Sequence, residues 1–200
     1  NERWQRYKVE HAKQTFLQAR CMAKAILAKK TNKSPADICF DYNPHGKPFL
    51  PNNENVQFNI SHSRAMIVVA VADIPLGVDC EDIHRRRPLW PEAENFLNSH
   101  VAKHINACVS DQEKAECFST HWCCMEAYVK LKGNAIFHDK DHVAVETVNA
   151  IGDLKTHVYN GVFFSSFHFS SASKIAIACQ YENHKIQLHR WDPNDFSFAI

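Results

Sequence analysis

The stretch "FNISHSRAMIVVAVA", residues 58–72, decides the reading of the fold. "VQFNIS" (56–61) and "AMIVVAVA" (65–72) are short apolar runs, the second rich in β-branched residues, and a Ser-rich polar break joins them. That pattern predicts a hairpin. The same texture returns in "FHFSSASKIAIACQ" (167–180): aromatic, polar, Ser-rich turn, then an apolar strand with small residues. In each half a long helical pattern comes first. Residues 9 to 30 carry Phe16, Ala19, Ala23, Ile26 and Leu27 at helical spacing, with Pro35 beyond as the stop. Residues 91 to 109 and 111 to 132 read as helices, the second ending at Gly133. The echo predicts a duplicated α+β unit, residues 1–84 and 85–200, with a ligand cleft between the two similar halves.

Working outward, "ICF" (38–40) is a short strand candidate and "NPHGKP" (43–48) is turn chemistry. "LGVDCE" (76–81) begins a third strand after the hairpin, and "HVAVETVN", "KTHVYNGVFFSSFHFSS" and "KIAIACQY" make the last third strand-like. At 200 residues the chain can bury a real core. A net charge of +1 gives no global field for nucleic acid. "AMIVVAVA" is far too short to cross a bilayer, and no signal peptide is visible, although Asn1 in first place leaves room for residues upstream. Eight cysteines without a CxxC pair fit reduced thiols in a cytoplasmic protein.

Several residues carry candidate chemistry. Asp79 and Glu81 lie one residue apart, so on a strand both carboxylates share a face. They read either as a polar strand end or as two oxygen ligands for a hard cation. Glu126 lies between Trp122 and Lys130 at i,i+4 spacing, which is a surface ion pair or a functional face. Ser61 and His62 offer hydroxyl, imidazole and turn N–H groups that suit a phosphate or simply finish a polar turn. Lys47, between Gly46 and Pro48, is an aimed ammonium or a solvated one. His100, His104 and Cys108 lie four apart, with Cys117 beyond. They form a zinc set or a solvated helix face.

Taken in order, "GKPFL", "FNISHS", "LGVDCE" and "HWCCMEAYVKLKG" resemble the motif series of the 4'-phosphopantetheinyl transferase family, surfactin-synthetase-activating (holo-carrier-protein synthase) type, over residues 10 to 135. The resemblance implies two α+β halves about a pseudo-twofold axis with coenzyme A in the cleft. It implies transfer of the phosphopantetheine arm from coenzyme A to a serine of an acyl or peptidyl carrier protein, with Mg2+ required and 3',5'-ADP released. By the same resemblance Asp79, Glu81 and Glu126 ligate Mg2+, and Glu126 is the base. Lys130 stands near the pyrophosphate, and Lys47, Ser61 and His62 hold the nucleotide and its phosphates. The duplicated halves let a monomer suffice. Met125 replaces the family's lysine before the catalytic glutamate, which removes a cation from beside the pyrophosphate, and the Arg85–Arg87 run is a candidate replacement. On this reading Met125→Lys preserves or raises activity. "HRRRP" (84–88) is also a candidate face for an acidic carrier protein. The alternative is a non-catalytic coenzyme A or carrier-protein binding module, crippled at Met125.

Overall fold

A computed structural model describes residues 9–84, 88–95, 97–133, 146–151, 154–182 and 185–192, with 146–151 described for the backbone only. Helix α1, Glu10–Thr31, comes first. It ends on Asn32 at φ 52°, with the Lys33 N–H returning to the Ala28 carbonyl, so the stop precedes Pro35. Strands β1 (Asp41–Tyr42) and β2 (Pro48–Phe49) form a small antiparallel pair. The strand expected at 38–40 is therefore shifted. The Asn43 side chain accepts from the His45 and Lys47 N–H groups at 3.0 and 2.8 Å and closes this hairpin, while Ile38 enters the α1 core without strand pairing.

The predicted hairpin is present. Strand β3, Gln57–His62, pairs antiparallel with β4, Ile67–Ala72, and Ser61 faces Val68 in the register. Strand β5, Leu76–Asp82, does not extend that hairpin. It pairs with β9, Ser173–Cys179, nearly a hundred positions later, at the edge of an antiparallel sheet ordered β5-β9-β8-β7-β6. The other members are β6 (Glu146–Ile151), β7 (Leu154–Tyr159) and β8 (Val162–Ser170). The second copy of the echoed texture is thus the β8–β9 hairpin. The outer edge of β5 is finished by side chains. The Val78 N–H donates to Asn59 Oδ1 at 2.9 Å and the Cys80 N–H to Ser61 Oγ at 3.3 Å, so two buried edge donors are satisfied without a ladder.

The segment expected as one helix over 91–109 is broken. Trp90–Asn95 forms 3-10 turns with a kink at Glu92, and Asn98 then caps helix α2, Ser99–Ala107, accepting from the His100 N–H. Helix α3, Asp111–Lys132, begins on a Ser110–Glu113 capping box and ends on Gly133 at φ 70°. The main core lies on both flanks of α3. Cys123, Cys124, Ala127 and Leu131 cluster with Phe164, Ala176 and Ala178 of the sheet and with Val101, Ala102 and Ile105 of α2. The opposite face of the sheet packs Val78, Cys80, Phe167 and Ile175 against Met66 and Val68. The architecture is mixed α+β. No helix among the described residues is long and apolar enough to cross a membrane.

Candidate active site

Alternation along β5 sends Val78 and Cys80 into the apolar face and Gly77, Asp79 and Glu81 toward α3. Gly77 is the seat of that helix: a Cβ built on it would lie 1.9 Å from the Ala127 carbonyl oxygen and 2.5 Å from the Leu131 nitrogen. Beside Gly77 and Asp79 the register places Ala178 and Ala176, so small side chains floor the contact. Both ends of α3 are pinned as well. The buried Lys174 ammonium bonds to Glu116 and donates to Thr120 Oγ1 at 2.6 Å. At the C-terminus the Lys47 ammonium donates to the carbonyls of Leu76 and Leu131, both at 3.2 Å, and Asn43 Nδ2 donates to the Gly133 carbonyl at 2.7 Å. A cation at a helix C-terminus meets the negative end of its dipole.

That docking carries Trp122, Glu126 and Lys130 over the acids of β5. Trp122 Nε1 donates to Glu81 Oε1 at 2.8 Å. Lys130 Nζ lies 2.5 Å from Asp79 Oδ1, 2.9 Å from Ser61 Oγ and 3.6 Å from Glu126 Oε2. The Ser61 hydroxyl donates to Asp79 Oδ1 at 2.7 Å. Asp79 is 3% exposed, and its other oxygen, Oδ2, is buried with no hydrogen-bond partner. Burial, then repulsion from Asp79, pushes the Glu126 carboxyl up to about 7. Burial works against the Lys130 ammonium, but Asp79 and Glu126 outweigh it and raise its pKa. Burial, and then the charge on Lys130, hold the His62 imidazole below its ordinary pKa.

An open cleft of about 450 Å³ adjoins this cluster, lined by His11 and Thr15 of α1, by His62 and Arg64 at the β3–β4 turn, and by Glu81 and Asp82 of β5. Asp82 accepts from Ser63 Oγ at 2.8 Å and lies 3.9 Å from Arg64 Nε, which orders the turn at the mouth of the cleft.

Residues 75–189 match the family profile of the 4'-phosphopantetheinyl transferase superfamily, and residues 1–74 match that of the 4'-phosphopantetheinyl transferase N-terminal region. The chain belongs to the 4'-phosphopantetheinyl transferase superfamily. It is 29% identical over 134 residues to the 4'-phosphopantetheinyl transferase HetI of a Nostoc species, covering 65% of this chain and 56% of that protein. Similarity to a 4'-phosphopantetheinyl transferase of Bacillus subtilis is 28% over 151 residues, covering 70% and 65%. For the 4'-phosphopantetheinyl transferase Sfp of Bacillus subtilis it is 26% over 140 residues, covering 70% and 60%. The chain therefore spans between 56% and 65% of the length of these relatives.

Of the residues singled out in the superfamily motifs, Asp79, Glu126, Lys130 and Ser61 meet in one cluster, while Glu81 and His62 reach the cleft. Lys47 does not reach it; its ammonium is turned onto the two backbone carbonyls, and burial lowers its pKa to about 8. Met125 is the larger surprise. It is fully buried in the core between α3, α2 and the sheet, so its side chain does not face the acids at all. Met125→Lys is therefore expected to destabilise the protein rather than preserve or raise activity, because a lysine there would put an ammonium into an apolar core. Arg85–Arg87 lie outside the described residues.

Among the described residues no three Asp, Glu, His or Cys side chains stand together as a metal cage, so neither Asp79, Glu81 and Glu126 nor His100, His104 and Cys108 form a preassembled one. The acidic set nevertheless suits a divalent cation. Its donors are hard oxygens, and the buried Asp79 Oδ2 lacks a partner. His100 and His104 are exposed on α2. Sequence reasoning missed Gly77, Asn59, Asn43 and the α1 wall of the cleft. Of these only Asn43 left a local trace, an Asn opening a Pro-Gly turn.

Proposed function

We propose that this chain transfers the 4'-phosphopantetheine arm of coenzyme A to a serine of an apo acyl or peptidyl carrier protein, releasing 3',5'-ADP. The observation that carries the proposal is the meeting of Asp79, Glu126 and Lys130 under α3, next along β5 to Glu81 at the wall of a cleft, in a member of this superfamily. Asp79, Glu81 and Glu126 are the proposed Mg2+ ligands. A bound ion would neutralise charge on the pyrophosphate of coenzyme A as its bridge is cleaved, one phosphate passing to the serine with the pantetheine arm and the other leaving on 3',5'-ADP. Glu126, which meets Asp79 and Lys130 in this cluster, is the proposed acceptor of the proton of the incoming serine hydroxyl. Lys130 adds positive charge where the leaving phosphates collect. His62 at the cleft wall is proposed to contact the nucleotide, with Ser61 holding Asp79 behind it. Lys47 is proposed to reach the nucleotide only by leaving its two carbonyls.

We further propose that the chain divides into two similar halves, 1–84 and 85–200, related by a pseudo-twofold axis, acting as a monomer with coenzyme A between them. The paired hairpins β3–β4 and β8–β9 support the division, although β5 joins the sheet of the second half. A binding module without catalysis was motivated by Met125, and the burial of Met125 removes that motive. The test is labelling of an apo carrier protein with a fluorescent coenzyme A in the presence of Mg2+. Labelling that disappears with chelator is expected. Absence of labelling on fatty-acid, polyketide and peptide-synthase carriers alike would overturn the assignment.

A further inference from the structure

Beneath α3 two carboxylates share one ammonium. Lys130 Nζ is 2.5 Å from Asp79 Oδ1 and 3.6 Å from Glu126 Oε2, with Ser61 Oγ at 2.9 Å. Two carboxyl groups share this one ammonium, and the second Asp79 oxygen, Oδ2, is buried with no hydrogen-bond partner, so the cluster has oxygen-donor capacity left over. The two contacts are also unequal. The Asp79 contact is a tight hydrogen bond, whereas the Glu126 contact is a longer ionic one and is the first to give way. A lysine, unlike an arginine, is a point charge on a flexible stem. The Lys130 side chain is 26% exposed along its length, while the Asp79 side chain is 4% exposed.

We propose that Lys130 is the resident counter-cation of Asp79 and Glu126, and that it competes with the divalent cation for that pair. This rests on the metal-dependent reading above. In the metal-free protein Lys130 keeps the two acids from repelling each other apart and keeps α3 seated on β5. When the ion arrives, Glu126 is released from the ammonium and Lys130 turns toward the cleft. The lysine thus holds the site in shape beforehand and weakens metal binding while it does so. A lysine that merely glued the helix to the strand would show neither behaviour, since its loss would cost the same stability with or without metal.

The experiment uses the full chain without coenzyme A and Mn2+ as the probe, with binding followed by calorimetry and by the Mn2+ paramagnetic signal. Lys130→Met is expected to bind Mn2+ at least tenfold tighter than the unmodified protein, because a full positive charge has left the site. In chelator the same variant melts at lower temperature, and saturating Mn2+ restores most of the difference. Lys130→Gln, which keeps donors without charge, shifts both readouts the same way and decides the matter if Lys130→Met does not fold. Unchanged or weaker Mn2+ binding by the variants overturns the competition while leaving the metal site standing. A loss of melting temperature equal in chelator and in Mn2+ overturns it as well. No Mn2+ binding by any of the three proteins overturns the metal reading itself, and this inference with it.

Discussion

Replacing Gly77 by alanine tests how the site is assembled, because it adds one methyl group at the point where α3 rests on β5. The new Cβ would stand 1.9 Å from the Ala127 oxygen and 2.5 Å from the Leu131 nitrogen, and both neighbours are helix backbone that cannot rotate aside. To regain ordinary contact the helix must retreat by about 1.5 Å. Overpacking of a well-filled core costs about 1–3 kcal/mol, and a clash with backbone belongs at the upper end. For a chain of this length about 3 kcal/mol lowers the melting temperature by roughly 6–12 °C. The same retreat opens the Lys130–Asp79 hydrogen bond, now 2.5 Å, beyond bonding range. Misplacement of about 1 Å can cost a hundredfold in rate. Carrier labelling should therefore fall by about two orders of magnitude even well below the melting point. Gly161→Ala is the control: it sits at φ 70° with open space around it, so it costs about 1 kcal/mol of backbone strain and leaves labelling unchanged. If Gly77→Ala melts within 2 °C or so of the unmodified protein and labels a carrier normally, α3 is not seated on β5 in the way that assembles the acids.

Glu126→Gln should reduce labelling by about 10²–10⁴ while the melting temperature holds or rises, since a carboxyl disfavoured by burial is removed; normal labelling would refute its role as base. Met125→Lys should destabilise the protein by about 2–4 kcal/mol, measured by urea unfolding, because the position is fully buried in apolar surroundings; a stable and faster enzyme would show that residue 125 faces the phosphates after all. Stability should fall on acidification from pH 6.5 toward 4. Burial, followed by Lys155 and Lys174 for His157 and by His157, His104 and Lys174 for His121, lowers both imidazoles to about 4, so between those values the unfolded chain binds the extra protons. His157 alone, at 2% exposure, accounts for up to about 3 kcal/mol, and thermal melts across that range should flatten in His157→Gln; a flat profile in the unmodified protein would refute the assignment.

Which parts could be read from sequence follows from the range of the forces involved. "LGVDCE" was legible because strand alternation is local: Asp79 and Glu81 had to share a face whatever the strand paired with. Trp122, Glu126 and Lys130 were legible for the same reason on a helix. The partner of β5 was not, since pairing with β9 is set by contacts far away in sequence. Met125 was misread because α3 is buried on both flanks, so no polar–apolar stripe tells a core position from a site position. The direction of the Lys47 ammonium depends on where α3 ends in space, which a turn motif does not encode.

Stability alone does not account for the charges under α3. The seat of that helix is already provided by Gly77, Ala176 and Ala178, and its ends are held by Lys174 with Glu116 and by Asn43 with Gly133. A buried ion pair seldom stabilises more than apolar residues of the same volume would. A carboxylate oxygen with no partner, beside a glutamate pushed to about 7, is a further cost to the fold. A scaffold selected only to rest helix on strand would do better with leucines at 79, 126 and 130. The cluster makes physical sense where a second cation and the phosphates it binds complete the charge balance. On the proposed metal-dependent reading, the same incomplete balance that weakens the fold would give the site its affinity.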